Sequence, residues 1–219
     1  MSKIINLRKL FSVKEMRKLY QIIENGIFLF REFEERNASL FYSRFTGNVR
    51  TRMLSHYINT QLEESNVLEQ LGCLLSPSSE GGYTVPTLIK ENVILTLRQC
   101  SSKQELLCAN IKYMKRYSKC NYVLNNQLSF FDDVQRENKK IYAILAYSDI
   151  DPISHEPKFV ELLFPTETME GFYDSIDLKP NLKLITSFED VQNNSENIIT
   201  LNNLKKNLRR KKGVDVKDE

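Results

Sequence analysis

The sequence has few of the residues that catalytic and cofactor-binding motifs require. Its 219 residues include only seven glycines and two histidines. The phosphate-binding and catalytic motifs GxxxxGK[ST], GxGxxG, GxSxG and HExxH do not occur. The histidines, His56 and His155, are far apart in the chain, and no cysteine is near either, so a zinc site would need distant segments to converge. We therefore predict no metal site and no cofactor.

Long apolar runs are also missing. The longest cluster of bulky apolar residues, residues 27–30, is far shorter than the ~20 residues that a membrane span needs. The N-terminus has no apolar core followed by a cleavage site, so we expect no export. The four cysteines form no CxxC pair and are expected to be free thiols: Cys73, Cys100, Cys108 and Cys120. These features predict a soluble, cytoplasmic protein.

The net charge is small, but its distribution along the chain is uneven. The whole chain carries +3, whereas residues 1–60 carry +6, residues 61–202 carry −7 and residues 203–219 carry +4. Such asymmetry indicates a surface that interacts with a charged partner.

Apolar periodicity predicts two amphipathic helices in the first 65 residues. Apolar residues from Met16 to Phe30 recur on one helical face, and Ser12 with Glu15 forms a capping box at the start. Gly26 lies inside this helix, where it costs up to ~1 kcal/mol relative to alanine, so the sequence allows a break there. A second helix follows Gly47-Asn48 and extends to about residue 62.

The segment after residue 66 predicts a mixture of strands and helices. Residues 76–82 are typical of a loop, and Pro86 makes residues 83–89 an edge strand or a loop. Residues 92–99 alternate as a strand does. Residues 101–118 are predicted as one helix that begins at Ser101-Ser102.

The strongest strand signals are residues 140–147 and 158–164, which we expect to pair as a hairpin with the first strand central. Residues 169–176 then predict a short helix, and residues 182–187 a possible last strand. The fold class is thus α+β: N-terminal helices, then a mixed or antiparallel sheet with packed helices. We predict one domain over residues 1–190, made of a helical front (1–65) and a sheet-containing body (66–190), and a flexible basic tail (191–219).

Two basic segments are candidates for nucleic-acid binding. Arg44, Arg50 and Arg52 surround the Gly47-Asn48 turn close to aromatic residues, a composition that suits phosphate contacts and base stacking. The tail adds Lys205, Lys206, Arg209 and Arg210. A solvated helix start explains the first set equally, and a localisation signal, an interfacial membrane helix or a solubilising tail explains the second. Lys112, Lys115, Arg116 and Lys119 form a further basic helix face, which we interpret as ordinary solvated surface.

A catalytic alternative depends on the acidic residues around the predicted hairpin. The order helix, strands, helix, strand is shared, in order alone, with restriction-endonuclease-like nucleases, whose carboxylates hold a divalent cation beside a lysine. The candidates here are Asp149, Asp151, Glu156, Lys158 and Glu161. The pattern departs from that family because Pro157 interrupts the acid-x-Lys triplet and these residues flank the strands. A solvated loop, and a salt bridge for Glu161, are the competing interpretations.

Three functional hypotheses follow. The favoured one is a binding protein that contacts nucleic acid or a protein partner through its basic N-terminal region and tail. The second is a nuclease that would use Mg²⁺. The third is a purely protein-interacting or inhibitory protein whose acidic middle binds a basic partner.

Overall fold

A computed structural model describes residues 6–41, 47–63, 65–80, 83–124, 140–151 and 154–179. These residues all belong to one compact unit, Met1–Lys179. N-terminal helices precede a six-stranded mixed sheet with helices packed on it, which confirms the α+β class. The predicted strand over residues 182–187, the domain end at residue 190 and the tail over residues 191–219 lie outside the described residues. Within the described residues, no helix is both long enough and apolar enough to cross a membrane.

Among the described residues, a short 3-10 helix and four α-helices precede the sheet, the last of them continuing six residues past the predicted front. They are the 3-10 helix Leu7–Lys9, α1 (Val13–Arg36), α2 (Ala38–Phe41), α3 (Gly47–Thr60) and α4 (Ser65–Leu71). The predicted capping box is present, since the Glu15 amide donates to Ser12 Oγ and the Ser12 amide donates to Glu15 Oε2. These bonds satisfy amide groups that a helix start otherwise leaves without partners.

Gly26, where the sequence allowed a break, lies inside the continuous helix α1. A Cβ atom at this position would lie 2.5 Å from Ile58 Cγ1 and 2.6 Å from Ile58 Cα, so α3 crosses α1 directly over the glycine. The residue is therefore required for a close approach of two backbones, and the helix continues through it.

The sheet contains six strands in the order in which they occur along the chain. They are β1 (Leu74–Glu80), β2 (Tyr83–Lys90), β3 (Val93–Gln99), β4 (Ile141–Tyr147), β5 (Val160–Pro165) and β6 (Phe172–Asp177). β3 and β4 are parallel, and each other neighbouring pair is antiparallel. The predicted β4–β5 pairing and the central position of β4, whose residues are all buried, are confirmed.

The prediction of a loop over residues 76–82 was wrong, because β1 extends to Glu80 and pairs with β2 along its whole length. Glu80 pairs with Tyr83, and residues 81–82 between them lie outside the described residues. β2 is also not an edge strand, since it lies between β1 and β3. Its ladder with β3 begins at Thr87, one residue after Pro86, so the proline does not interrupt that ladder.

Two helix predictions also need correction. Residues 101–118 form two helices, α5 (Lys103–Cys108) and α6 (Lys112–Ser118), and a 3-10 helix, Lys119–Leu124, follows them. Residues 169–176 are not helical, because a tight turn closed by Thr166 and Gly171 reverses the chain and β6 then pairs with β5. An available strand edge outweighed the weak helical spacing.

Helices cover both faces of the sheet. α1 and α3 pack on the face that presents Leu95, Leu145 and Leu162. α5 and α6 pack on the opposite face, against Tyr142 and Ile144 of β4. The crossover from β3 to β4, which a parallel pair requires, thus places α6 on the side of the sheet away from the helical front.

Candidate functional site

Arg50, predicted to contact nucleic acid, lies at the centre of a group of charged side chains. Its Nε is 2.7 Å from Glu34 Oε1 of α1, and its Nη1 is 2.9 Å from Asp149 Oδ1, just after β4. The guanidinium also lies 5.4 Å from the centre of the Phe30 ring. We call these four residues the Arg50 node. It brings together Arg50 and Asp149, which the sequence had assigned to two different functions.

The electrostatics of the Arg50 node favour a structural role. Burial alone would lower the pKa of Arg50, but its hydrogen bond with Glu34 and the negative charges of Asp149 and Glu34 raise that pKa overall. Two carboxylates thus compensate one guanidinium, which weakens its attraction for an external phosphate. Arg52 is exposed, while Arg44 and the tail residues Lys205, Lys206, Arg209 and Arg210 lie outside the described residues.

The candidate catalytic residues after β4 make separate local contacts. The Asp151 carboxylate accepts the Ser154 amide at 3.0 Å, which shapes a turn. Glu156 is exposed and its Oε2 is 3.8 Å from Lys179 Nζ. The Lys158 side chain is exposed. Asp151 therefore shapes the connection between β4 and β5, while Glu156 and Lys158 lie at its surface.

Glu161 is the carboxylate that the sequence placed inside a buried strand. It is 13% exposed on β5, and its Oε2 is 2.5 Å from Lys103 Nζ of α5. The observed contact is thus the salt bridge that the sequence analysis gave as the alternative to a metal-ligand role for Glu161. Across the part of the chain that the structure describes, no three His, Cys, Asp or Glu side chains are grouped so that they could hold a metal ion.

A polar network at the carboxyl ends of β3 and β4 was missed by the sequence analysis. The Tyr147 hydroxyl is 3.3 Å from Ser55 Oγ of α3, and Ser55 Oγ donates to Gln99 Oε1 at 2.9 Å. Burial raises the pKa of Tyr147, and the hydrogen bond with Ser55 offsets only part of that rise, so the pKa is about 12. The phenol therefore stays protonated, and the network joins α3 to the parallel pair.

The basic face of α6 is a different kind of surface. Its cationic side chains are all exposed and recur at i, i+3, i+4 and i+7, and we call them the basic row: Lys112, Lys115, Arg116 and Lys119. The opposite side of α6 is buried through Tyr113, Met114 and Ser118. The sequence contains no acidic residue between Glu105 and Asp132.

The lysines of the basic row have no salt bridge with any other described residue. The Arg116 guanidinium lies 5.0 Å from the centre of the Tyr117 ring. The backbone of one acidic residue, Glu167, contacts α6: its carbonyl oxygen accepts a hydrogen bond from Ser118 Oγ at 3.1 Å. Its carboxylate accepts the Tyr173 hydroxyl. The positive charge of the three lysines is therefore not compensated by the described part of the fold.

The end of the basic row is held in place by Asn121, which is fully buried. Its Nδ2 donates to the carbonyl oxygens of Tyr142 and Pro165 at 2.9 and 2.7 Å, and its Oδ1 accepts the Tyr142 amide at 2.7 Å. The side chain fills the gap where β4 and β5 separate. Because all these bonds are buried, the 3-10 helix that carries Lys119 has a fixed position on the sheet.

Comparison with known proteins gave no match to any family model, curated protein or solved structure.

Proposed function

We propose that this chain is a nucleic-acid-binding protein that contacts phosphates through the basic row. The supporting observation is that the three lysines of the row, two on α6 and one at the start of the following 3-10 helix, are exposed and have no salt bridge with a described residue. Lysine contacts with phosphates release counterions, which makes such surfaces favourable for nucleic acid at physiological salt. The sequence analysis interpreted this row as solvated surface, so it adds a third basic segment to the two that were selected there.

Nucleic acid is favoured over an acidic protein because of how the charges are spaced. The three lysines extend over seven residue steps, from Lys112 to Lys119, and so form a line of positive charge about 10 Å long, given the 1.5 Å rise per residue of a helix. A regular polyanion can neutralise such a line without a specific arrangement of partner side chains. An acidic protein partner is the second candidate, and the same row would contact it.

The remaining parts of the proposal come from the sequence alone. Contacts by Arg44, Arg52 and the tail stay predictions, as does a cytoplasmic location. Arg50 is a weaker candidate than Arg52, because it is already paired with two carboxylates.

The proposal is tested by fluorescence anisotropy with labelled single-stranded and duplex oligonucleotides over a salt series. We expect Lys112→Gln, Lys115→Gln and Lys119→Gln together to weaken binding at low salt. The slope of log affinity against log salt should fall by about 2 for a single strand, since each phosphate contact contributes about 0.7.

A matched control replaces three exposed cations outside the proposed binding segments, Arg98, Lys140 and Lys158, by glutamine. The control removes the same charge, so a row-specific effect appears as the difference between the two triple variants. Absence of binding by the intact protein at ~50 mM salt would overturn the proposal. Binding of a poly-glutamate peptide without nucleic-acid binding would support the protein-partner hypothesis. Magnesium-dependent cleavage would support the nuclease alternative.

A further inference from the structure

We infer that the basic row binds the phosphate chain of its ligand and reads no base. The inference rests on the proposed function and goes beyond it in naming the part of the nucleic acid that is recognised. Three lysines carry it, Lys112, Lys115 and Lys119, which are exposed and have no salt bridge with a described residue. Any chain of regularly spaced phosphates, with or without bases, is then a ligand of the row.

The three lysines lie along one side of an element whose other side is buried. Lys119, which follows α6, keeps a helical backbone conformation, with a φ of −55° and a ψ of −26°. At 3.6 residues per turn, positions 112, 115 and 119 lie within an arc of about 60° around the helix axis. The residues buried on the opposite side are Tyr113, Met114 and Ser118. The lysines therefore form one line of charge that a chain of phosphates can follow.

The residue types around this line offer cations and no other polar group to a nucleic acid. Among residues 111–121, all of them described, every exposed residue is a lysine or an arginine. The amides and hydroxyls that pair with base edges do not occur among these exposed residues. The segment has one asparagine and one serine, Asn121 and Ser118, and both are fully buried with their side chains bonded within the fold.

Lysine can also contact guanine, so the freedom of its side chain decides between base and phosphate. Reading a guanine requires a donor that is held in one direction, because the specific contact is bidentate. No described carboxylate holds any of the three ammonium groups within salt-bridge distance. A lysine ammonium is a compact charge on a flexible stem and contacts phosphate as a point charge. Phosphate contacts carry no sequence information, so the row adds affinity without a preference among bases.

Competition with inorganic polyphosphate tests the inference directly, because this linear chain has phosphates and neither bases nor sugars. We expect it to displace a labelled single-stranded oligonucleotide from the intact protein. The triple glutamine variant of the basic row should lose affinity for both ligands by the same factor, and the control triple variant of Arg98, Lys140 and Lys158 should lose less for each. If the oligonucleotide binds and polyphosphate at equal phosphate concentration does not displace it, the inference is overturned while the proposed function stands.

Base composition gives the second measurement. DNA and RNA oligonucleotides of one length, with and without guanine, are compared at one salt concentration. We expect the triple glutamine variant of the row to lose the same affinity for each, within about twofold. Lys112→Arg, Lys115→Arg and Lys119→Arg together should bind as the parent does, because the charges are kept. Arg116 is unchanged in both variants.

A loss that differs by about fivefold or more between sequences would show that the row reads bases, and it would overturn the inference with the proposed function intact. If the intact protein binds no nucleic acid, the proposed function fails and the inference fails with it.

Discussion

The helical front and the basic row carry positive charge in opposite ways. The front belongs to a segment with a net charge of +6, yet its arginines are widely paired: Arg31 with Glu35, Arg36 with Glu32, and Arg50 with Glu34. The basic row lies in a segment with a net charge of −7, yet its three lysines are exposed and unpaired among the described residues. A regional sum of charges therefore does not identify the surface that can bind a polyanion.

The difference has a local cause. In α1, Arg31 and Arg36 each have a glutamate four residues away, so helical geometry places the opposite charges together. α6 itself contains no acidic residue, and the nearest one before it in the sequence is Glu105. Two of the ion pairs of the front lie within α1, and the pair of Arg50 with Glu34 joins α3 to α1. The charges of the row are directed to solvent.

The largest expected effect concerns the packing of the front. Gly26→Ala should lower the free energy of unfolding by about 2–3 kcal/mol, because the added Cβ would lie 2.6 Å from Ile58 Cα and 2.9 Å from Ile58 N. On an open helix face the same change would stabilise by up to ~1 kcal/mol. Urea unfolding measures the difference, with the exposed neighbour Asn25→Ala as control. A stabilised Gly26→Ala variant would contradict the close crossing of α1 and α3.

A second prediction separates paired from unpaired cations. Arg50→Gln should destabilise the fold by about 1–2 kcal/mol, since it leaves Glu34 and Asp149 without their partner. It should change nucleic-acid affinity little. The triple glutamine variant of the basic row should do the reverse, with a stability within ~0.5 kcal/mol of the parent. Equal losses of stability in both variants would remove the distinction between the two regions.

The smallest effect concerns the start of α1. Lys90 Nζ of β2 is 2.7 Å from Glu15 Oε1. Burial alone would raise the pKa of Glu15, but its hydrogen bonds with Lys90 and Ser12 lower it overall. A carboxyl pKa that is lower in the folded protein stabilises the fold above the ordinary carboxyl range, and this contribution is lost as the pH falls through the lowered pKa.

We therefore expect Glu15→Gln to cost up to about 1 kcal/mol at pH 7. The difference from the parent should shrink as the pH falls through the acid range, which thermal unfolding over a pH series measures. The exposed Glu69→Gln is the control, since it removes the same charge. A Glu15→Gln difference that stays constant with pH would show that the ion pair does not link α1 to β2.

The elements that the sequence predicted well are those whose signals are local and redundant. α1 has both its apolar period and its capping box, and β4 is apolar on both faces, which is typical of a central strand. The elements predicted wrongly have weak local signals and a strong tertiary partner. Ser76 and Ser78 are typical of a turn, but their segment pairs with β2. Phe172 and Ile176 suit a short helix or a strand, and the open edge of β5 decided between them.

The candidate site was less predictable than the fold. Its cations could be read from the sequence, since spacing alone puts Lys112, Lys115 and Lys119 on one helical face. Whether a cation is paired with an acidic residue could not be read from the sequence. Arg50, for example, is paired with Asp149, which lies almost half the chain away. The role of Asn121 as a buried bond between β4 and β5 likewise had no signal in a segment rich in asparagine.

By itself, the sequence determined the α+β class, the start of α1, the central strand β4 and the absence of common catalytic motifs, because these follow from residue type and short-range spacing. The tertiary structure decided which charges remain exposed, which glycine is required and which ambiguous segments become strands. Those properties depend on side chains far apart in the chain, and the free energy of pairing or burying them exists only once the fold has brought them together.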